Sequence, residues 1–297
     1  MNKKILLVGT VSDVAKTLNK ELQVVLKALN IFDHIDIFLV ESDSNDQTIK
    51  ILNEIKSQNH NFNFITLGQL RQRYPNRLRR IAHCRNVYVD YIRNFYQISK
   101  WNYVAVADLD GMNFRLNKKG IMSCFDTKVI WDGIMANQKF GYYDVFALRA
   151  ENWVEKDCFE EVNHLKKTLI APRVHKNTII NFILNFHHFD KIRRLCIYDK
   201  MKILRRNIGL IEVTSAFGGF ALYNPKVFLH TKYSCINGLE SEHVYLHRSA
   251  TEKEFKFYIN PRLINNYFNP YNLNRFFFIR LAREVKKFIE PNKISAQ

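Results

Sequence analysis

Two aspartates stand two residues apart in YVAVADLDGMN, residues 103–113. The apolar run 103–107 reads as a buried strand, and Asp108 and Asp110 follow its C-terminal end. Strand side chains repeat every second residue, so both carboxylates point the same way. Like charges this close raise each other's pKa unless a cation lies between them. A divalent ion supplies that cation: Mg2+ and Mn2+ take oxygen ligands, typically one or two carboxylates together with substrate phosphates. Held in this way, the metal neutralises a diphosphate and stabilises it as a leaving group. An isolated Asp-x-Asp also ends strands in plain surface turns, so its neighbours decide between the two readings.

Those neighbours follow from the pattern of elements. Residues 4–9 read as a strand, with Ser12 as N-cap of an amphipathic helix over 14–29. A second strand over 35–40 leads into the acidic loop ESDSND and a helix from about 47 to 56. Residues 62–67 form a third strand, 78–98 a long helix and 103–107 a fourth strand. Alternation of this kind predicts an α/β fold with a mostly parallel, doubly wound sheet. Ligands of such sheets bind outside the C-terminal strand ends. ESDSND and DLDG both lie there, which favours a ligand crevice over a surface turn.

The 297 residues, 47% hydrophobic and 25% charged, suffice for one large α/β domain with an elaborated C-terminal part. Cysteines at 84, 124, 158, 196 and 235 are odd in number and form no CxxC pair. That pattern suits reduced thiols in a cytosolic protein, not a disulfide framework or a zinc site. The start, MNKKILLVGTVSD, reads as a first strand rather than a signal peptide, and no run approaches the ~18 apolar residues of a membrane span. The net charge of +17 is concentrated: between residues 163 and 210, eleven bases face only Asp190 and Asp199. Near the C-terminus, Phe278, Leu281, Ala282, Val285, Phe288 and Ile289 recur at helical spacing, with Arg280, Arg283, Lys286 and Lys287 on other faces. Such a helix suits either an anionic membrane surface or packing on its own domain with a solvated basic face. No nucleic-acid recognition motif accompanies the charge.

In RLRRIAHCRN, Arg77, Ile81 and Arg85 recur at four-residue steps on one helix face, and arginine binds phosphate bidentately. His83 and Cys84 read as packing residues. ESEHVYLHR, residues 240–248, reads as a short helix with Glu240, His243 and His247 on one face and Glu242 beside it.

VESDSNDQT, RLRRIAHCRN, YVAVADLDG and YYDVFALR occur in that order, with spacings similar to those of GT-A glycosyltransferases. The nearest resemblance is to the cryptococcal capsular mannosyltransferase-like group, family 69, and to related bacterial and viral enzymes. FGGFALYNPKVF follows, and then ESEHVYLHRSATEKEFKFYINPRLIN resembles the Glu-Asp-x-x-Leu-x-x-Arg stretch and next strand of family 2. The resemblance covers about 4–150 and 211–268, and 151–210 matches nothing.

It implies a Rossmann-like GT-A domain over 1–270 with a basic helical insertion at about 151–210, then a basic amphipathic helix over 271–297. The implied activity is Mn2+- or Mg2+-dependent transfer from a nucleoside diphosphate sugar to a glycan or glycolipid acceptor. Its place would be the inner, cytoplasmic membrane face, in capsule or lipopolysaccharide synthesis if the source is bacterial. Glu41 and Asp43 would hold base and ribose, or cap the next helix with Ser44, Asn45 and Asp46. Thr10 would lie near the nucleotide, Arg77 and Arg85 on phosphate, and Asp108 and Asp110 on the metal, with Asp110 also catalytic. YYDVFALR reads as a strand whose Asp144 and Arg149 contact the donor sugar or pair internally. Glu242 matches the family 2 Glu, while His243 replaces the Asp that takes the acceptor proton. Either His243 acts as general base near pH 7, or His243 or His247 completes the metal shell.

Two rivals differ in class. A GT-A-like domain without catalysis would bind anionic polymers through its basic face, but the intact Asp-x-Asp speaks against it. A sugar nucleotidyltransferase expects a Gly-rich basic loop after the first strand, which GTVSDVAKTL lacks.

Overall fold

The computed structural model describes residues 3–168, 178–236 and 238–289. Its first half alternates as the pattern predicts: β1 (Lys4–Val11), α1 (Leu18–Leu29), β2 (His34–Glu41), α2 (Thr48–Gln58), β3 (Phe62–Thr66), α3 (Arg77–Ser99) and β4 (Tyr103–Ala107). Then come α4 (Lys118–Met122), β5 (Gly133–Gln138), α5 (Cys158–Thr168), α6 (Thr178–Arg193) and a π-helical turn (Arg194–Tyr198). The chain continues with β6 (Ile211–Val213), β7 (Phe220–Tyr223), α7 (Lys226–His230), α8 (Glu242–Thr251), β8 (Phe257–Asn266), a 3-10 turn (Asn272–Arg275) and α9 (Phe277–Ile289).

The fold is mixed α/β around one eight-stranded sheet of order β3-β2-β1-β4-β7-β5-β8-β6. The first four strands are parallel; β7 joins β4 and β5 antiparallel. Because β2 and β3 lie on one side of β1 and β4 on the other, the chain reverses direction between β1 and β4. A crevice opens outside their C-terminal ends at such a point. Gly9 lets these two strands close up there, since a Cβ at this position would sit 2.5 Å from the Ala107 carbonyl oxygen. The two sheet faces carry separate cores. Tyr88, Val89 and Ile92 of α3 pack on one, and Leu18, Leu22 and Val25 of α1 on the other, as their helical spacing requires.

Two expectations fail. Ser12 caps no helix: α1 begins at Leu18, and Asp13 adopts φ +52°. The Val14 and Ala15 amides instead donate to Thr48 Oγ1 and Asp46 Oδ2, tying this turn to the start of α2. YYDVFALR is not a strand. Gln138 and Asp144 accept the Tyr143 and Ala147 amides, turning the chain out of the sheet before Arg149 bridges to Ser215.

The C-terminal helix α9 packs on its own domain. Arg280 is buried and paired with Asp190 of α6, which fastens the helix to the body. Phe278 on the same helix is 81% exposed, and Phe276, Phe277 and Val285 are exposed beside it. Among the described residues, no helix is long and apolar enough to cross a membrane.

Candidate active site

A cavity of about 630 Å³ opens at the crevice, lined from β1 (Thr10), α3 (Arg77, Ile81, Arg85), the DLDG loop and the start of α8 (Glu242, His243). At its floor the cation beside Asp108 is Arg85. This guanidinium is buried; its Nη2 donates to Asp108 Oδ1 at 3.0 Å and its Nε to Glu242 Oε1 at 3.0 Å. Its face lies over the rings of Phe217 and Tyr233. An arginine fork suits this bridging of two carboxylates, which a lysine ammonium does not reproduce.

Asp110 is left over. Its carboxylate makes no hydrogen bond or ion pair with another described side chain. Asp110 keeps part of its surface exposed, yet desolvation by the surrounding wall and then the charge of Asp108 push its carboxyl up to about 6. Arg77 lines the same cavity and likewise forms no hydrogen bond or ion pair among the described residues, although its charge is felt at Asp110. An unpaired carboxylate and an unpaired guanidinium therefore face one space, matched to a cation and to a phosphate respectively.

The loop carrying both aspartates is held from below. Glu21, fully buried on α1, accepts the Gly111 and Asn113 amides, both at 2.6 Å. The Asn113 side chain donates to the Asp108 carbonyl at 2.5 Å, and Asn265 Nδ2 donates in turn to Asn113 Oδ1. The Asp108 amide donates to the carbonyl of Gly219, where the Gly218–Gly219 turn runs at φ +74° and +84°. A Cβ at Gly218 would lie 2.7 Å from the Ala136 oxygen, so the tight turn in FGGFALY excludes larger residues. Asp144 lines the cavity and accepts the Gly218 amide at 3.0 Å; burial pushes its carboxyl up to about 6.

Burial also raises the Glu21 carboxyl to about 7. Its folded value exceeds its unfolded one, so its contribution is fully present below about 4.5 and is lost as pH rises through about 7. The unfolding free-energy gap between wild type and Glu21→Gln should therefore be widest near pH 4.5 and shrink by about 3 kcal/mol above pH 7. A gap independent of pH would remove Glu21 from this role.

His243 is 3% exposed, stacks on Phe217 at 3.9 Å and lines the cavity. Neither ring nitrogen has a hydrogen-bond partner among the described residues, and Nε2 lies 3.8 Å from Glu242 Oε1. Burial and then the Arg85 charge hold its pKa well below the usual histidine value, so the ring is neutral at pH 7.

Other sequence candidates stand elsewhere. His247 does not line the cavity. Its Nδ1 is hydrogen-bonded to Ser215 Oγ and its Nε2 to Tyr223 OH, and burial lowers its pKa to about 3. Glu41 is fully buried; its carboxylate accepts the Ser44 amide and the Thr66 hydroxyl, making it a loop strut. Asp43 reaches the cavity wall, but Oδ1 accepts the Leu70 and Arg71 amides and Oδ2 lies 3.3 Å from Arg80. Arg149 pairs with Asp157 and Glu240, not with Asp144. Glu240 precedes α8 and also binds Arg248. Among the described residues, no group of three His, Cys, Asp or Glu side chains could by itself hold a metal ion.

No family model matches the chain, and no curated protein matches it. Solved structures do. One is the mannosyltransferase PcManGT from Pyrobaculum calidifontis in complex with GDP-Man and Mn2+, at TM-score 0.47 and 10% identity, covering 97% of this chain and 65% of that one. Residues 1–349 of S. aureus TarS with UDP-GlcNAc match at TM-score 0.46 and 9% identity, over 96% and 66% of the two chains. The same fragment with UDP gives 0.41 and 11%, over 86% and 57%. The chain thus spans less than two thirds of the length of each. At such identities no residue of the site is carried across.

Proposed function

We propose that the protein is a GT-A glycosyltransferase, taking a nucleoside diphosphate sugar as donor and a glycan or glycolipid as acceptor. The observation that carries this reading is the unpaired Asp110 carboxylate beside the Asp108–Arg85–Glu242 bridge, in a cavity at the C-terminal ends of parallel strands. The motif order in the sequence supports it. Asp110 and Asp108 are the residues that would hold Mn2+ or Mg2+ here. A metal held there neutralises the departing diphosphate.

The chain's own residues do the rest. Arg77 meets the diphosphate, Thr10 and Asp43 line the nucleotide side, and Asp144 faces the donor sugar. The acceptor hydroxyl oxygen bonds to the anomeric carbon, the bond from that carbon to the diphosphate oxygen breaks, and nucleoside diphosphate leaves. The hydroxyl proton passes to Glu242, whose Oε2 makes no hydrogen bond to a described residue. The neutral His243 ring accepts a hydrogen bond from the acceptor and orients it.

Glu242→Gln should cut transfer at least ~100-fold while nucleotide binding survives. His243→Phe keeps the stack on Phe217 and should melt no lower than wild type, yet transfer should fall ~10-fold or more. Near-normal transfer in both variants would take this segment out of the mechanism.

We also assign the exposed apolar stripe of α9, with its neighbouring bases, to an anionic membrane surface at the inner face of the cell membrane, in capsule or lipopolysaccharide synthesis. Phe278→Asp should release the protein from phosphatidylserine vesicles in a sedimentation assay, and undiminished pelleting would refute this.

A further inference from the structure

Tyr271 lies beyond the stretches that carry the sequence resemblance, yet it lines the cavity. Its ring stacks on Tyr143, 5.5 Å between centres and 16° from parallel. It keeps 53% of its surface exposed, and its hydroxyl has no hydrogen-bond partner among the described residues. Burial therefore does not explain why this ring is held in place. The charges of Asp110, Arg77, Asp108 and Asp144 reach it, which sets it at the carboxylate end of the cavity.

The surrounding residues fix that placement from three sides. Asn269 Oδ1 accepts the Tyr271 and Asn272 amides at 2.9 and 2.8 Å, and Asn272 Oδ1 accepts the Asn269 amide at 2.9 Å, closing the turn on itself. Arg275 Nη1 donates to the Phe140 carbonyl at 2.9 Å, tying the 3-10 turn to the loop that carries Tyr143. From the other side α9 holds the same turn. Arg280 Nη1 donates to the Asn274 and Arg275 carbonyls at 2.8 and 2.7 Å. Arg283 Nη1 donates to the Pro270 carbonyl at 3.1 Å and to Asn274 Oδ1. A guanidinium presents several donors in one fixed plane, so a single side chain can hold two acceptors of a turn.

A pyranose ring has apolar, slightly positive C–H faces and carries its hydroxyls at the edge. The face of an aromatic ring is negative and covers such a C–H face, whereas a diphosphate offers nothing of this kind. The sugar of a donor whose diphosphate meets Arg77 would lie at the end of the cavity where Tyr271 stands. Resting on the transferase reading, we infer that Tyr271, backed by Tyr143, is the platform for the donor's sugar ring, and that Arg280 and Arg283 of α9 are positioning residues that hold it there. The C-terminal segment thereby completes the donor site from the side that the sequence motifs leave open.

Isothermal titration of the full chain in Mn2+ with UDP-glucose, GDP-mannose and TDP-glucose, each against its free nucleoside diphosphate, tests this. For a pair that binds wild type, Tyr271→Ala should weaken the nucleotide sugar at least ~5-fold and leave the free nucleotide within ~2-fold. Tyr271→Phe, which keeps the ring, should restore the difference. Arg283→Met should show the same selective loss and add little once Tyr271 is alanine, a coupling that a general loss of stability does not produce. Equal weakening of both ligands by Tyr271→Ala, or of neither, would overturn the platform, and strict additivity of the Arg283 and Tyr271 variants would overturn the positioning role. Failure of every nucleotide to bind wild type would overturn the transferase reading and the platform with it. Nucleotide binding that Tyr271→Ala leaves unchanged sinks the platform alone.

Discussion

Arg85→Met is expected to lower stability by about 3–5 kcal/mol and to abolish transfer. The arginine is buried between Asp108 and Glu242, and removing it leaves two carboxylates facing each other without a cation. Breaking a buried pair from one side costs this much because the remaining charges keep their desolvation penalty. Arg85→Lys should recover only part of the loss, since one ammonium does not span both acceptors. The double variant Arg85→Met/Glu242→Gln gives a sharper reading. Removing the orphaned charge should restore part of the lost stability, so the two effects should be far from additive in urea unfolding. Strict additivity would mean that Arg85 does not bridge the pair.

How much of this was legible in the chain varies by residue. Strands β1 to β4 and their helices were legible because short apolar runs alternate with 3.6-residue stripes, and the sheet then brings ESDSND and DLDG to one edge. Arg85 read as a phosphate ligand. Its partner Glu242 lies 157 positions away, and no local spacing reports such a contact. The opening puzzle of paired aspartates therefore has two answers: a guanidinium at Asp108, and an unpaired carboxylate at Asp110. Glu21 was overlooked although a signal existed, since it is the one acid on the buried stripe of Leu18, Leu22 and Val25. His247 and Glu41 have the right chemistry and the wrong neighbours. Ser215, Tyr223 and Thr66 satisfy them, and only the folded chain supplies those partners. Tyr271 was illegible because it lies past the last matched stretch, and Tyr143 and α9 meet its turn only in the folded chain.

Asp110→Ala carries the other large effect. The carboxylate has no partner among the described side chains and sits beside the Asp108 charge, so its removal should leave melting unchanged or slightly raised. Transfer should nevertheless be lost, by several kcal/mol of barrier, because the diphosphate departs without its counter-ion. EDTA should do the same to wild type. Metal binding needs the ionised carboxylate, so metal-dependent nucleotide affinity should hold above about pH 6 and fall as pH drops through it.

The most direct test titrates wild type and Asp110→Ala with UDP-, GDP-, CMP- and TDP-sugars, with Mn2+ and with EDTA, following heat and release of free sugar. Wild type should bind and slowly hydrolyse at least one donor with Mn2+ and lose this in EDTA, while folded Asp110→Ala should bind at least ~100-fold more weakly. Failure of every donor to bind wild type in Mn2+, or equal binding by Asp110→Ala, would contradict the assignment of this cavity to a nucleotide sugar.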